Sequence, residues 1–247
     1  MTDAAWARTG RGLAWAYGAL AIVAGALVTV VSVSIPSTDD LAKHYAYIRQ
    51  IWPELYISFL LFMGAFVCLI AIAPVLREFF GRRVRSELLY TWFLAAGIVG
   101  MLWMLAQVGS AQAVARDSVG LSTQDLNVLG TSSGIWSGAI NWLERGYLVF
   151  ASLGTYFTGR LVLKDPSLPR GLGWLSIVLA VFYWLGLANL VLFDLGVFFS
   201  SELGSALVAL GAVLALAWAG WLGWVLGKSP PTSSSGQRPT DEIRPAA

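Results

Sequence analysis

Residues 55–76 read LYISFLLFMGAFVCLIAIAPVL, 22 positions without a charged side chain, bounded by Glu54 and Arg77. Wound as a helix at 1.5 Å of rise per residue, the run is about 33 Å long, the thickness of a bilayer's hydrocarbon core. A helix this apolar on every side belongs in lipid or deep inside a large soluble domain. Composition decides between the two. The chain is 57% hydrophobic and 12% charged, about half the charge of an ordinary soluble domain. That leaves too little polar surface to cover a water-soluble globule, so lipid is the solvent for much of it.

Five more charge-poor stretches lie outward from this one, at 12–38, 88–115, 146–159, 171–193 and 203–227. Four of them have the roughly 20 apolar residues that a spanning helix needs. The remaining stretch, 146–159, has only 14 residues between Arg145 and Arg160. It spans if Arg160 snorkels to the interface, so that 146–163 forms the core. The expected fold class is all-α, a polytopic membrane protein built as a bundle of six transmembrane helices. Residues 1–228 form one domain, and the Pro-, Ser- and Thr-rich segment 229–247 is a disordered tail that buries too little to offset chain entropy. Residues 36–53 and 110–134 read as the two largest loops.

Arg8 and Arg11 ahead of residues 12–38 imitate a signal peptide. The charge-free run of 27 residues exceeds the about 7–15 of a signal's apolar region, so it reads as an uncleaved helix. Cleavage near 32–34 would leave five helices with the same topology.

Basic residues alternate along the chain. Arg8, Arg11, Arg77, Arg82, Arg83, Arg85, Arg160, Lys164, Arg170, Lys228, Arg238 and Arg244 fall on one side, twelve of the sixteen Lys and Arg. Lys43, Arg49, Arg116 and Arg145 fall on the other, with Asp39, Asp40, Glu54, Asp117, Asp125, Glu144, Asp194 and Glu202. The positive-inside rule places both termini in the cytoplasm of a multi-pass cell-membrane protein. Aromatic belts agree. Trp52, Tyr56, Trp136 and Trp142 mark outer ends, and Trp15, Trp92, Trp174, Trp221 and Trp224 mark inner ends.

One cysteine, Cys68, and one histidine, His44, bound the chemistry. No intramolecular disulfide can form. A bis-histidine haem, a copper centre or an iron–sulfur cluster would need ligands the chain lacks, so no cofactor and no metal are expected. The segment GTSSG at 130–134 resembles a serine-protease loop, but His44 lies in a distant outer segment and no base accompanies the serines. No Lys occurs within a span, which excludes a retinal Schiff base, and no phosphate-cradling loop is present. A net charge of +2 gives no reason to expect a nucleic-acid partner.

Two features carry most of the functional interest. Gly211, Ala215, Ala219, Gly223 and Gly227 recur every four residues and share one face of the last helix, where small side chains let backbones approach closely. The face packs inside the bundle or against another subunit, a second copy included. The first helix has shorter versions at Ala14–Gly18 and at Ala21, Gly25 and Thr29. The second feature is the adjacent pair Glu144–Arg145. Charges near hydrocarbon seek a partner or a wet cavity, and neighbours in sequence diverge around a helix. Arg145 shares a face with Asn141 and Ser152, and roughly with Thr155. Glu54, Gln107, Asn189 and Asp194 are candidate partners at the same depth. Three readings stand: a pair solvated by headgroups, an ion pair locking helices, or a ligand site. Pro53 with Glu54 reads as a first helical turn, Pro74 as a kink, and 77–87 as a basic loop against headgroups.

With these helices placed, APVLR at 73–77 and LGTYFTGRLVLKDPSLPRGLGWL at 153–175 resemble an uncharacterised family of bacterial six-helix membrane proteins, a domain of unknown function. The resemblance implies a single six-helix domain over residues 12–227 and no known activity. The expectation is a non-catalytic membrane protein, an accessory or partner-binding subunit whose surroundings are lipid and another membrane chain or a homo-oligomer. A small-molecule or ion carrier using the polar site on the fourth helix is the second hypothesis, and a lipid-acting enzyme with Glu144 and Asp194 as acid–base groups is the third.

Overall fold

Asp40 begins what the loop reading of 36–53 missed. Its carboxylate accepts hydrogen bonds from the amides of Ala42 at 3.0 Å and Lys43 at 3.3 Å, donors that every helix start leaves without partners. From this cap a single helix, α2, runs Leu41–Phe79. Pro53 therefore does not open the helix; it lies inside it. The ring costs one backbone hydrogen bond, offset by the cap and by the burial of Tyr45 and Ile51 in the added turns.

The computed structural model describes residues 3–33, 40–194 and 201–228. The other helices are α1 Asp3–Val33, α3 Val84–Asp117, α4 Thr123–Val162, α5 Arg170–Asp194 and α6 Ser201–Lys228. Among the described residues there is no strand. The tail 229–247 lies outside them.

The expected loop 110–134 is also corrected. α3 continues to Asp117 and α4 starts at Thr123. Gly120, at φ +74°, turns the chain in a conformation that suits glycine. Ser122 then caps α4, its hydroxyl accepting from the Asp125 amide at 3.2 Å. At the opposite end a four-residue turn, 80–83, replaces the longer basic loop expected over 77–87.

α2, α3 and α4 have 39, 34 and 40 residues, which makes them about 50–60 Å long against a core of about 30 Å. Their excess lies together, away from the basic end. There Tyr45, Val114 and Leu126 form a small core of their own with Leu41, Ile48 and Leu129. Arg49 Nη1 donates to Ser118 Oγ at 2.8 Å across the same head.

Packing follows chain order. Each helix lies against the next, and α6 returns to α1, so the six close into a ring. The basic-end half of its interior is dense, with Leu69, Leu76, Leu89, Phe93, Val162, Leu172, Leu222 and Leu226 among the most buried side chains. Phe93 of α3 meets Trp218 of α6 across the interior at 5.9 Å. Trp218 Nε1 donates to Ser176 Oγ at 2.9 Å, and that hydroxyl donates to the Leu172 carbonyl at 2.8 Å. A buried indole N–H thus finds its acceptor.

Among the described residues five helices are long and apolar enough to cross a membrane; α4 is not one of them. Its polar groups are handled inside the bundle, between α3 and α5. Thr155 and Thr158 donate to the carbonyls of Ala151 and Gly154, and Ser152 donates to Ala180 of α5 at 3.2 Å. These hydroxyls do not need water, so the least apolar helix sits between two neighbours.

Candidate functional site

Arg145, at 7% exposure, is the one charged side chain among the buried polar groups of the described residues. Its guanidinium carbon lies 4.9 Å from the centre of the Trp142 ring, three residues earlier on the same helix face. Its Nε makes no hydrogen bond among the described residues, while Arg145 has a further interaction beyond Trp142. Trp142 itself is 71% exposed. The indole therefore covers the cation from outside, a cation–π contact whose strength grows with desolvation. Glu144, half-buried beside it, forms no ion pair among the described residues, consistent with the divergence of adjacent positions on a helix.

Of the other expected members, Asn141, Ser152, Glu54, Gln107 and Asn189 do not gather on Arg145 among the described residues. Asn141 is exposed one turn above it. Ser152 is 1% exposed and spends its hydroxyl on the α5 backbone. Glu54 is exposed on α2; Gln107 of α3 and Asn189 of α5 are half-buried. No hydrogen bond or ion pair links these three to Arg145 among the described residues. Asp194 closes α5, and its side chain lies outside the described residues. The same depth along six helices does not bring side chains together, because each points in a direction set by its own helix rotation.

An aromatic layer that sequence reasoning missed lies one step below. Tyr147 of α4 packs edge-on to Phe66 of α2 at 5.1 Å, stacks on Trp103 of α3 at 5.9 Å and meets Tyr183 of α5 at 6.2 Å. The Tyr17 hydroxyl of α1 faces those of Tyr147 and Tyr183. The Trp103 indole N–H is buried without an acceptor. Five helices thus contribute to one layer across the ring. Tyr147 is two residues after Arg145, about 200° around the helix, so the guanidinium and the phenol leave α4 on opposite sides. These aromatics carry no shared spacing in sequence; a depth alignment of the spans is the one signal that could have pointed to them.

The α6 stripe has a described partner in α1. A Cβ on Gly223 would fall 3.3 Å from Ala14 Cβ, and one on Gly18 would fall 3.2 Å from Ala219 Cβ. Ala219 is fully buried, Ala215 is packed against the core, Gly227 abuts Arg11, and Gly211 has open space around it. Trp15 Nε1 donates to the Gly220 carbonyl at 3.2 Å. This face joins the last helix to the first and closes the ring.

The head end differs from all of these. On α4, Val128, Ile135, Trp136 and Trp142 are 62%, 75%, 60% and 71% exposed, and residues 134–139 are exposed at every position. The intervening Gly134 and Gly138 have no neighbour within 4 Å. At 40 residues α4 is longer than a bilayer core is thick, and these positions lie in its N-terminal half, away from the basic end. Comparison of the chain with family models, with characterised proteins and with solved structures finds no match.

Proposed function

We propose that this chain is a non-catalytic integral membrane protein that serves as an accessory or partner-binding subunit, with its basic end and both termini in the cytoplasm. The observation that supports it is the exposed apolar surface on the upper length of α4 among the described residues. Ile135 and Trp136 stand on different sides of a helix that continues past the membrane-length region, and both are largely exposed. Apolar surface of this extent on an aqueous projection marks an interaction site, and tryptophan is the residue most often found at its energetic centre.

The test is solubilisation from the native membrane in a mild detergent, followed by native electrophoresis. The expected result is a complex larger than one chain that is lost in Ile135→Asp or Trp136→Asp, while the variant still inserts. A strictly monomeric wild type without a co-purifying chain overturns the proposal.

The carrier reading draws on Arg145 and on the phenols inside the ring. It has less support, because Glu54, Gln107 and Asn189 do not converge on Arg145, and the guanidinium leaves α4 opposite the phenols. Abolished uptake of a solute in Arg145→Leu, with insertion intact, would restore it.

A further inference from the structure

We propose that the lipid-facing groove between α4 and α5 holds an acyl chain of one anionic phospholipid, with its phosphate bound by Arg160. The groove encloses about 310 Å³ and is lined by Leu153, Tyr156, Ile177, Val181 and Trp184 over a floor at Ser152 and Ala180. The floor exists because two small residues meet there. It is apolar in effect, because the Ser152 hydroxyl is turned onto the Ala180 carbonyl at 3.2 Å. The rim faces outward: Tyr156, Val181 and Trp184 are 37%, 51% and 48% exposed.

The occupant is identified by the cation at its foot. Arg160 does not snorkel away from the hydrocarbon as the span count had required. Side chains on a helix lean toward its N-terminus, which for α4 is the direction of mid-membrane. Accordingly, Arg160 Nη1 donates to the Tyr156 hydroxyl at 3.2 Å, and the guanidinium carbon lies 5.9 Å from that ring. The charge is held exposed beside the lower wall of the groove. No carboxylate lies within 4 Å of it among the described residues. The nearest in sequence, Asp165, is taken by the amide and hydroxyl of Ser167 at 2.9 and 2.6 Å.

A guanidinium on a lipid-facing surface is costly unless neutralised, and its planar fork matches a phosphate better than any other group at headgroup depth. From Arg160 to Ser152 is about 12 Å along the helix, most of the thickness of one leaflet. Phosphate at Arg160 therefore directs an acyl chain up the groove. Exposed Lys164 and Arg170 at the same end add to the attraction for an anionic headgroup. The inference is independent of the partner surface on the head.

Native mass spectrometry of the purified full chain tests it, with phosphatidylglycerol and phosphatidylcholine of identical acyl chains as probes. Wild type is expected to retain phosphatidylglycerol about tenfold better, the ratio a charge-assisted contact supports. Arg160→Gln is expected to abolish that preference. Val181→Trp, at an exposed position, is expected to fill the groove and reduce retention of both lipids while the helix content stays unchanged. Equal retention of the two lipids by wild type overturns the proposal. So does an Arg160→Gln variant that keeps the preference, or a folded Val181→Trp variant that binds as wild type does. Displacement of phosphatidylglycerol by millimolar inorganic phosphate overturns the lipid assignment in favour of a free-anion site; resistance to it supports the chain in the groove. A dimer that excludes lipid from the groove also overturns it.

Discussion

Replacing Gly159 with Ala tests a close backbone approach between α4 and α5. A Cβ at Gly159 would lie 2.7 Å from the Gly173 carbonyl oxygen, 2.8 Å from Ile177 Cγ1 and 3.2 Å from Ser176 Cβ, where ordinary contact begins at 3.4 Å. The oxygen is backbone, so it cannot rotate away as a side chain would, and α4 and α5 must part by about 0.7 Å. From the other side, a Cβ at Gly173 would lie 3.2 Å from the Gly159 carbonyl oxygen and 2.7 Å from Leu163 Cγ. Overpacking of this kind costs about 1–3 kcal/mol. Alanine returns up to about 1 kcal/mol of helix propensity. The net loss is about 1–2 kcal/mol, or about 2–8 °C of melting temperature for a chain of this size. Thermal unfolding in detergent, followed by tryptophan fluorescence, measures it. Gly138→Ala and Gly109→Ala are the controls, since neither position has an atom within 4 Å of its would-be Cβ; both should melt at or slightly above wild type. A Gly159→Ala protein as stable as these controls would refute the reasoning that backbone proximity, not glycine content, holds α4 to α5.

Trp218→Phe should cost about 1–2 kcal/mol, because it removes the buried bond to Ser176 at 2.9 Å; the same melting assay reads it, and an unchanged midpoint counts against that bond as a support of the interior. The Asp40 carboxyl is held below its usual range, chiefly by the Lys43 amide and further by the Ala42 amide and the Lys43 charge. A depressed carboxylate contributes stability that is complete above its unfolded pKa and lost as pH falls through the folded one. Hydrogen-exchange protection at the start of α2 should therefore weaken on acidification below the ordinary carboxylate range, and Asp40→Ala should remove that dependence; identical pH profiles for the two proteins would contradict it. For orientation, Val119→Cys or Val128→Cys in a Cys68→Ser background should react with a membrane-impermeant maleimide applied to intact cells. Reaction only after permeabilisation would invert the proposed topology.

Much of the helical plan is legible from charge alone. A charge-free run such as 55–76 is a property of the chain, and water excludes it whatever its neighbours are. The alternation of basic and acidic ends follows in the same way. Tertiary contact decided the rest. LAKHYAYIRQIW at 41–52 looks like loop because Pro53 follows it, yet it is helix because Tyr45 finds Val114 and Leu126 on two other helices. Ser152 and Arg145 share a face of α4 in sequence, yet the hydroxyl is claimed by a carbonyl of α5. Spacing states which residues look the same way along one helix. It carries no information about how six helices are rotated against one another. That rotation brought Tyr17, Phe66, Trp103, Tyr147 and Tyr183 into one layer, closed α6 onto α1 through small side chains, and left Ile135 and Trp136 of α4 exposed. The membrane-bound class of this protein was written in its hydropathy, because transfer into lipid is a sum over residues. Its candidate surfaces were not, because they depend on close contacts between side chains far apart in the chain.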